Sequence, residues 1–460
     1  MPQPQSHSMD LPDRREIVDN ILFLIQVRDL PKLKNFIVDT HPSDLADIIR
    51  ELDGEERVFF FNLLTPDTAS DVLTELDEVT RENLISDLSE DRLSEIVDEM
   101  DSDDATDVVA ELPEDLKEKV LAEIESQDRA EVEKLIRYDE ETAGGIMALE
   151  FVAVYEDETV DDAIQEIRIK SREVEQVYNV YAIDRGGRLA GVVPLKKLIL
   201  ENPKTLIREL MNRDVISVSV DQDQEQVAAV VRKYDLVSIP VVDAYGRLVG
   251  RITHDDVIDV LQEEATEDID RMAGITDEEV LQEMSTLRIS RRRLPWLLIA
   301  LIGQLTAAFI LSTFEATFRQ ITAIVFFIPV IMAMGGNAGI QSSTIVVRSI
   351  ALNEGGASNG WRRFYREFRV AILNGVVITL ILFPIVVLWL KQLDFGIVLG
   401  IAMLLVIIMA ASIGAIIPYV LNRLKFDPAI ATGPFITTSN DILGLFIYLG
   451  LATYYLKWFQ

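Results

Sequence analysis

Cysteine is absent from the chain, which removes disulfides and thiolate metal sites together. Histidine is nearly as scarce: His7, His41 and His254 stand too far apart for a zinc cluster. Metal chemistry, if present, must use oxygen ligands and a hard cation. Positive charge is also thin over most of the length. Of 43 Lys/Arg and 76 Asp/Glu, 13 basic and 6 acidic residues lie from Arg291 onward, which leaves 30 basic and 70 acidic residues, net −40, for positions 1–290. That charge excludes a nucleic-acid partner, and its self-repulsion opposes compaction unless counter-ions bind; multivalent cations are the natural candidates. For any single carboxylate, solubility alone is explanation enough. No secretory signal is read ahead of the acidic part, and the opening MPQPQSHSM is polar enough to be disordered.

Apolar runs long enough to cross a bilayer gather in the last third: about Leu294–Thr313, Ile321–Ile350, Val370–Leu390, Phe395–Leu421 and Ala429–Leu456. Basic clusters at Arg291–Arg293, at the loop with Arg362, Arg363, Arg366 and Arg369, and at Arg423/Lys425 alternate with sparsely charged connections. The positive-inside rule then places the acidic region and both basic loops in the cytosol and the C-terminus outside. Pro295-Trp296 reads as the start of the first membrane helix. The fifth span, GPFITTSNDILGLFIYL, carries Asp441 near its middle. A carboxylate at that depth needs a partner or water and marks an ion, proton or substrate path. On a helix, Thr437, Thr438 and Gly444 share its face, so two hydroxyls and a gap baring backbone carbonyls flank the acid. A buried counter-ion role would need a Lys or Arg in the middle of another span, and none is there. In the second span, FIPVIMAMGGNAGIQSST, Pro329, Gly335, Gly336 and Gly339 weaken the helix while Asn337, Gln341, Ser342 and Ser343 offer polar groups. Close helix packing explains such glycines; beside Asp441, a glycine break with Gly335, Gly336, Asn337 and Gln341 also suggests a pore wall.

The acidic part holds two internal repeats. Leu52, Leu64, Leu76, Leu88, Met100, Leu112 and Ile124 recur every twelve residues, each followed by a turn or helix-starting residue, which predicts two-turn helices paired into 24-residue hairpin units. Asp101, Asp103, Asp104 and Asp107 crowd one helix start; capping explains part of that density, and cation binding would explain the rest. From Tyr138 to about Leu261 short Val/Ile-rich strands alternate with helices, and VYAIDRGGRLAGVV answers IPVVDAYGRLVGRI. This resembles a tandem pair of cystathionine-β-synthase-type (CBS) domains, a regulatory module and not a catalyst. Its nucleotide signature survives in the second copy as Gly250, Thr253 and Asp256, whereas Pro194 and Lys197 stand where the first copy would need a hydroxyl and an acid. Adenine nucleotide (ATP) is therefore read at the second copy. HDDVIDVLQEEATEDIDRM then concentrates like charges three and four apart, which destabilises a helix without counter-ions.

The order of parts resembles the MgtE family of magnesium channels and transporters over essentially the whole chain. On that resemblance the fold class is α plus α/β plus membrane α: an acidic helical-repeat domain over 1–137, the CBS pair over 138–265, a connecting plug helix over 266–293 and a five-helix pore domain over 294–460. The resemblance implies no enzyme but a homodimer in the plasma membrane, with lipid and Mg2+ as partners. Asp441 would be the pore acid, with Thr437 and Gly444 giving backbone around a hydrated ion. Glu225, Asp235, Asp256, Asp259, Glu264, Glu267 and Asp427, with Asp101 and Asp104 from the repeat, would bind regulatory Mg2+ that holds the pore shut. Independently, Mg2+ sheds water reluctantly, so its pore should be lined by carbonyls and one or two carboxylates that contact first-shell water. The alternative is a proton-coupled divalent-cation transporter with Asp441 as a protonatable carrier.

Overall fold

Twelve-residue periodicity becomes geometry in the amino-terminal part. The computed structural model describes residues 14–171, 174, 176–273, 286–351, 360–426, 428 and 434–459. After α1 (Arg14–Gln26) and α2 (Leu30–Asp39) come α3 (Pro42–Glu51), α4 (Gly54–Phe61), α5 (Pro66–Thr74), α6 (Glu78–Asp87), α7 (Glu90–Val97), α8 (Ser102–Glu111), α9 (Glu114–Glu123) and α10 (Ser126–Leu135). From α3 on, each helix begins twelve residues after the last. Local chemistry sets the starts: Thr65, Asp77 and Ser89 accept from the backbone N–H of Thr68, Thr80 and Arg92, and Pro42 and Pro66 occupy first-turn positions where no donor is lost. The connector residues Leu52, Leu64, Leu76, Leu112 and Ile124 are buried. Helices two apart pack on each other, α3 on α5, α5 on α7 and α7 on α9, with α4 on α6 and α8 on α10 in the other row. The physical repeat is thus the 24-residue pair, each unit burying the face its neighbour cannot cover alone.

Two three-stranded sheets follow, each with a parallel pair and an antiparallel pair. In the first, β1 (Ala153–Tyr155) lies beside β2 (Asn179–Ile183), which pairs with β3 (Leu189–Pro194); in the second, β4 (Val218–Ser219), β5 (Ser238–Val242) and β6 (Leu248–Thr253) repeat that order. The helices are α11 (Val160–Lys170), α12 (Leu195–Leu200), α13 (Ile207–Leu210), α14 (Gln224–Tyr234) and α15 (His254–Ala273). Each antiparallel pair turns through a left-handed glycine, Gly187 at φ 79° and Gly246 at φ 77°, with Asp184 or Asp243 accepting two backbone N–H groups. The two turns clasp one another: Leu189 N–H donates to Gly246 O at 3.0 Å and Leu248 N–H to Gly187 O at 3.1 Å. The copies also exchange lead-in segments. Met147, ahead of the first copy, sits on Gly250 of the second, and Met211, ahead of the second, sits on Gly191 of the first, so close that an added Cβ would fall within 2.7 Å of the methionine sulfur.

The chain divides into two compact units, one ending at Leu261 and the other starting at Gln262. In the second unit, α16 (Thr286–Thr313), a short α17 (Glu315–Gln320), α18 (Ala323–Ala351), α19 (Gly360–Leu390), α20 (Leu393–Arg423) and α21 (Pro434–Phe459) include five helices long and apolar enough to cross a membrane. Buried α20 is the hub, packing against α18, α19 and α21, while α18 and α16 also pack on α21. Three expectations are corrected. α18 runs unbroken through Pro329, Gly335, Gly336 and Gly339, because the glycines are repaid in packing: Gly339 lies against Gly414 of α20, and Gly335 against Val406. Pro295 falls inside α16 and does not open it, and Arg362 to Arg369 are helical, in the first turns of α19. Of the expected plug helix, residues 274–285 lie outside the described residues.

A Cβ at Gly414 would meet the carbonyl oxygen of Gly339 at 2.3 Å, whereas one at Gly336 would meet nothing within 4 Å. Gly414→Ala is therefore expected to destabilise the bundle by about 1–3 kcal/mol through overpacking. Gly336→Ala should leave the Tm of the detergent-solubilised protein unchanged or raised, since alanine is the better helix former. Equal Tm values for both variants would refute the contact.

Candidate ion pathway and acidic cluster

Asp441 is half-buried on α21, and its Oδ2 accepts a hydrogen bond from the Gln304 Nε2 of α16. The helices approach here because Gly303 has no side chain: a Cβ there would collide with Thr438. The preceding residue on α21, Asn440, is only 1% exposed and donates from Nδ2 to Gly335 O of α18 at 3.2 Å, while its Oδ1 has no partner among the described residues. The gap beside Gly444 is methyl-sized: an added Cβ would fit there, in ordinary contact with Val406 at 3.5 Å and Met332 at 3.9 Å. Thr437 is half-buried, Gly335 is buried in the α18–α20 seam, and Asn337 and Gln341 are exposed on one face of α18, one turn apart. Asp441 thus faces α16 through Gln304, while the neighbouring Asn440 faces α18 through Gly335. Asp427 lies outside the described residues.

In the first unit, carboxylates from both repeats converge. The start of α8 carries Asp101, Asp103, Asp104 and Asp107; Asp256, in the first turn of α15, faces them, Asp259 lies beside Asp256 and Glu75, and Glu150 joins the α8 acids from the chain between α10 and β1. Ser102 holds Glu150 in place, donating from its backbone N–H at 3.2 Å and from Oγ at 2.9 Å. Burial, then repulsion from Asp104, Asp256, Asp101 and Glu150, holds the Asp103 carboxyl well above the usual carboxylate range. Burial and then Asp256 push Asp104 to about 8. Glu150 is raised to about 7 by burial and then Asp101, and Asp256 and Asp259 are raised with burial the first cause of each. Among the described residues no three acids or histidines form a direct cage for a bare ion. The cluster suits instead an ion that keeps most of its water and meets carboxylates through it, as Mg2+ does.

Other expected ligands are not brought together. Glu225 and Asp235 lie at opposite ends of α14, ten residues or roughly 15 Å apart, so they cannot share one ion within one chain. Glu264 and Glu267 lie further along α15, where Glu267 pairs with Arg271. In the second CBS copy Asp256 Oδ2 accepts from Thr253 N–H at 2.9 Å and Oγ1 at 2.6 Å; in the first copy Lys197 Nζ instead donates to Leu210 O at 2.5 Å. Sequence reasoning missed Gln304, Asn440 and Glu150 and passed over Asp103. An amide inside an apolar run is the same kind of signal as Asp441, only weaker, and would have found Gln304.

A five-helix membrane bundle joined to a CBS pair and an acidic helical repeat is the architecture of a divalent-cation transporter, and the comparisons agree. Residues 328–451 match the family model MgtE, described as a divalent cation transporter; residues 40–141 match the MgtE intracellular N domain, and 143–202 and 207–263 the CBS domain. The magnesium transporter MgtE of Thermus thermophilus is 39% identical over 325 residues, covering 70% of this chain and 72% of that protein. That of Enterococcus faecalis is 37% identical over 329 residues, 72% of each. The chain belongs to the MgtE family. Among solved structures, the soluble part of a magnesium transporter aligns with 55% of this chain and 100% of its own length, at 30% identity and a TM-score of 0.51. The cytosolic domain of the Mg2+ channel MgtE in complex with ATP aligns with 53% and 99%, at 37% identity and a TM-score of 0.51.

Proposed function

We propose that this chain, as a homodimer in the plasma membrane, conducts Mg2+ down its electrochemical gradient past Asp441 and is closed by cytosolic Mg2+. The observation that carries the pathway is the carboxylate of Asp441, set in the bundle with Gln304 oriented on it. Asn337 and Gln341, exposed on one chain, would complete the wall against a second copy, with Gly335, Gly336, Thr437 and Gly444 shaping it. The orientation supported by the basic clusters puts residues 1–293 in the cytosol and the C-terminus outside. Residues 1–137 and 138–265 then act as the sensor and 266–293 as the plug. Mg2+ flux into dye-loaded proteoliposomes tests the reading: a channel follows the Mg2+ gradient and membrane potential, while flux that vanishes on collapsing a pH gradient would establish the proton-coupled carrier instead.

Closure is assigned to the acidic cluster. Without divalent ions, Asp101, Asp103, Asp104, Asp256 and Asp259 repel across the junction of repeat and CBS pair; hydrated Mg2+ neutralises them and draws the parts together. Glu225, Asp235, Glu264, Glu267 and Asp427 are assigned to further regulatory Mg2+ contacts. ATP is assigned to the second CBS copy on the strength of Thr253 and Asp256; that a solved relative's cytosolic domain is in complex with ATP supports nucleotide binding as such. A ribose hydroxyl there would replace Thr253 on Asp256, and its phosphates would face the same acids, so nucleotide binding should require Mg2+.

The raised carboxyls give this sensor a pH signature. Carboxyls that hold protons more tightly when folded stabilise the metal-free unit at low pH, and that stability is lost as pH rises through about 7 for Glu150 and about 8 for Asp104. Mg2+ must displace those protons. Titrating Mg2+ into the protein in two buffers of different ionisation enthalpy is expected to show proton release near pH 7 and tighter binding as pH is raised toward 8. Binding that is independent of pH over this range would remove the cluster from the sensor.

A further inference from the structure

We propose that the cytosolic end of α19 is a binding surface for anionic phospholipid. The helix opens with WRRFYREFR, residues 361–369, and continues without interruption into the apolar span. Arg362, Arg366 and Arg369 fall on one exposed face, at spacings of four and three, and have no hydrogen bond or ion pair among the described residues. The single acid of the segment is turned away from them: Glu367 accepts from Ser342 Oγ of α18 at 2.8 Å. The charge on the outward face is therefore all positive, with exposed Tyr365 lying among the arginines. Past Arg369 the same stripe becomes apolar while staying exposed, with Leu373 at 63% and Leu380 at 67%, and Trp361 at 75% flanks the arginines.

That sequence of surfaces, guanidinium groups beside an exposed tryptophan and then a bare aliphatic stripe, complements one amphiphile from head to tail. A phosphate head would take the planar donor forks of the arginines, acyl chains would lie along Leu373 and Leu380, and Trp361 would sit at headgroup depth. A soluble polyanion would leave the stripe uncovered, and a zwitterionic lipid would leave the charge unmet. The cytosolic leaflet follows from the orientation given above, and is where anionic lipid meets basic juxtamembrane segments.

The full chain, with Trp296, Trp389 and Trp458 replaced by Phe so that Trp361 reports alone, is reconstituted in phosphatidylcholine containing a rising fraction of brominated phosphatidylglycerol, whose bromines quench tryptophan. At low salt the expected preference for the anionic lipid is at least about fivefold, the worth of one surface arginine, and it should shrink as salt is raised. R362Q/R366Q/R369Q should bring it near parity, while the triple Arg→Lys variant keeps most of it. Parity in the parent protein, or a preference that survives the glutamines, would overturn the proposal. So would parity that yields to a preference only when Mg2+ is added, which would assign the arginines to the acidic part of the chain itself.

Discussion

Asp441→Asn is expected to lower Mg2+ flux into proteoliposomes by at least about tenfold while the protein elutes as the parent does. The size follows from charge: a divalent ion held one water away from a single carboxylate gains roughly 2 kcal/mol even at the dielectric of water, and more in a narrow pore. The amide keeps the shape and removes that gain. Folding should not suffer, because an ionised carboxylate is the costliest group to bury in the span and Asn still accepts from Gln304. Gln304→Leu should lower flux less, since it removes the group that orients the carboxylate and keeps the charge. Parent-like flux in Asp441→Asn would end the pore assignment, and a larger loss in Gln304→Leu would move the site toward α16.

What could be read from the residues alone follows how local each cause is. The helical repeat was legible because caps and connector leucines recur at twelve, and both are satisfied within a few residues of themselves. The CBS pair was legible because it is written twice. Asp441 announced itself through solvation cost. Gln304 did not, because an amide in a span is cheaper and its partner is 137 residues away. Asp103 and Glu150 were hidden for another reason. Carboxylates at a helix start are already explained by capping, and only the tertiary fold brings Asp256 beside them. The unbroken α18 shows the limit from the other side: glycine weakens a helix locally, but contacts such as Gly339 on Gly414 are made across the bundle.

Neutralising the cluster as Asp103→Asn/Asp104→Asn/Asp259→Asn is expected to raise the cytosolic Mg2+ concentration for half-closure on the order of a hundredfold, at about 1 kcal/mol per carboxylate, less than the roughly 2 kcal/mol of a fully ionised one because these carboxyls are partly protonated near neutral pH. Two effects compete in this variant. If the acids act only by repelling one another, asparagine mimics bound Mg2+ and the pore closes more readily. If hydrated Mg2+ bridges α8 to α15, asparagine removes the anionic oxygens the bridge needs and the closed state loosens. Loosening should win, because repulsion responds to any cation whereas the bridge is specific to a small divalent one. Raised carboxyl pKa values point the same way: near neutral pH part of the repulsion is already relieved by protons, leaving less for asparagine to relieve. Moving a two-state pore from 1:99 to 99:1 needs about 5.5 kcal/mol, more than one such carboxylate supplies, so single variants should shift the midpoint only about fivefold and the triple variant far more. Patch-clamp recording from the cytosolic face decides it. An unchanged or lower half-closing Mg2+ concentration in the triple variant would leave repulsion as the mechanism and exclude the bridge.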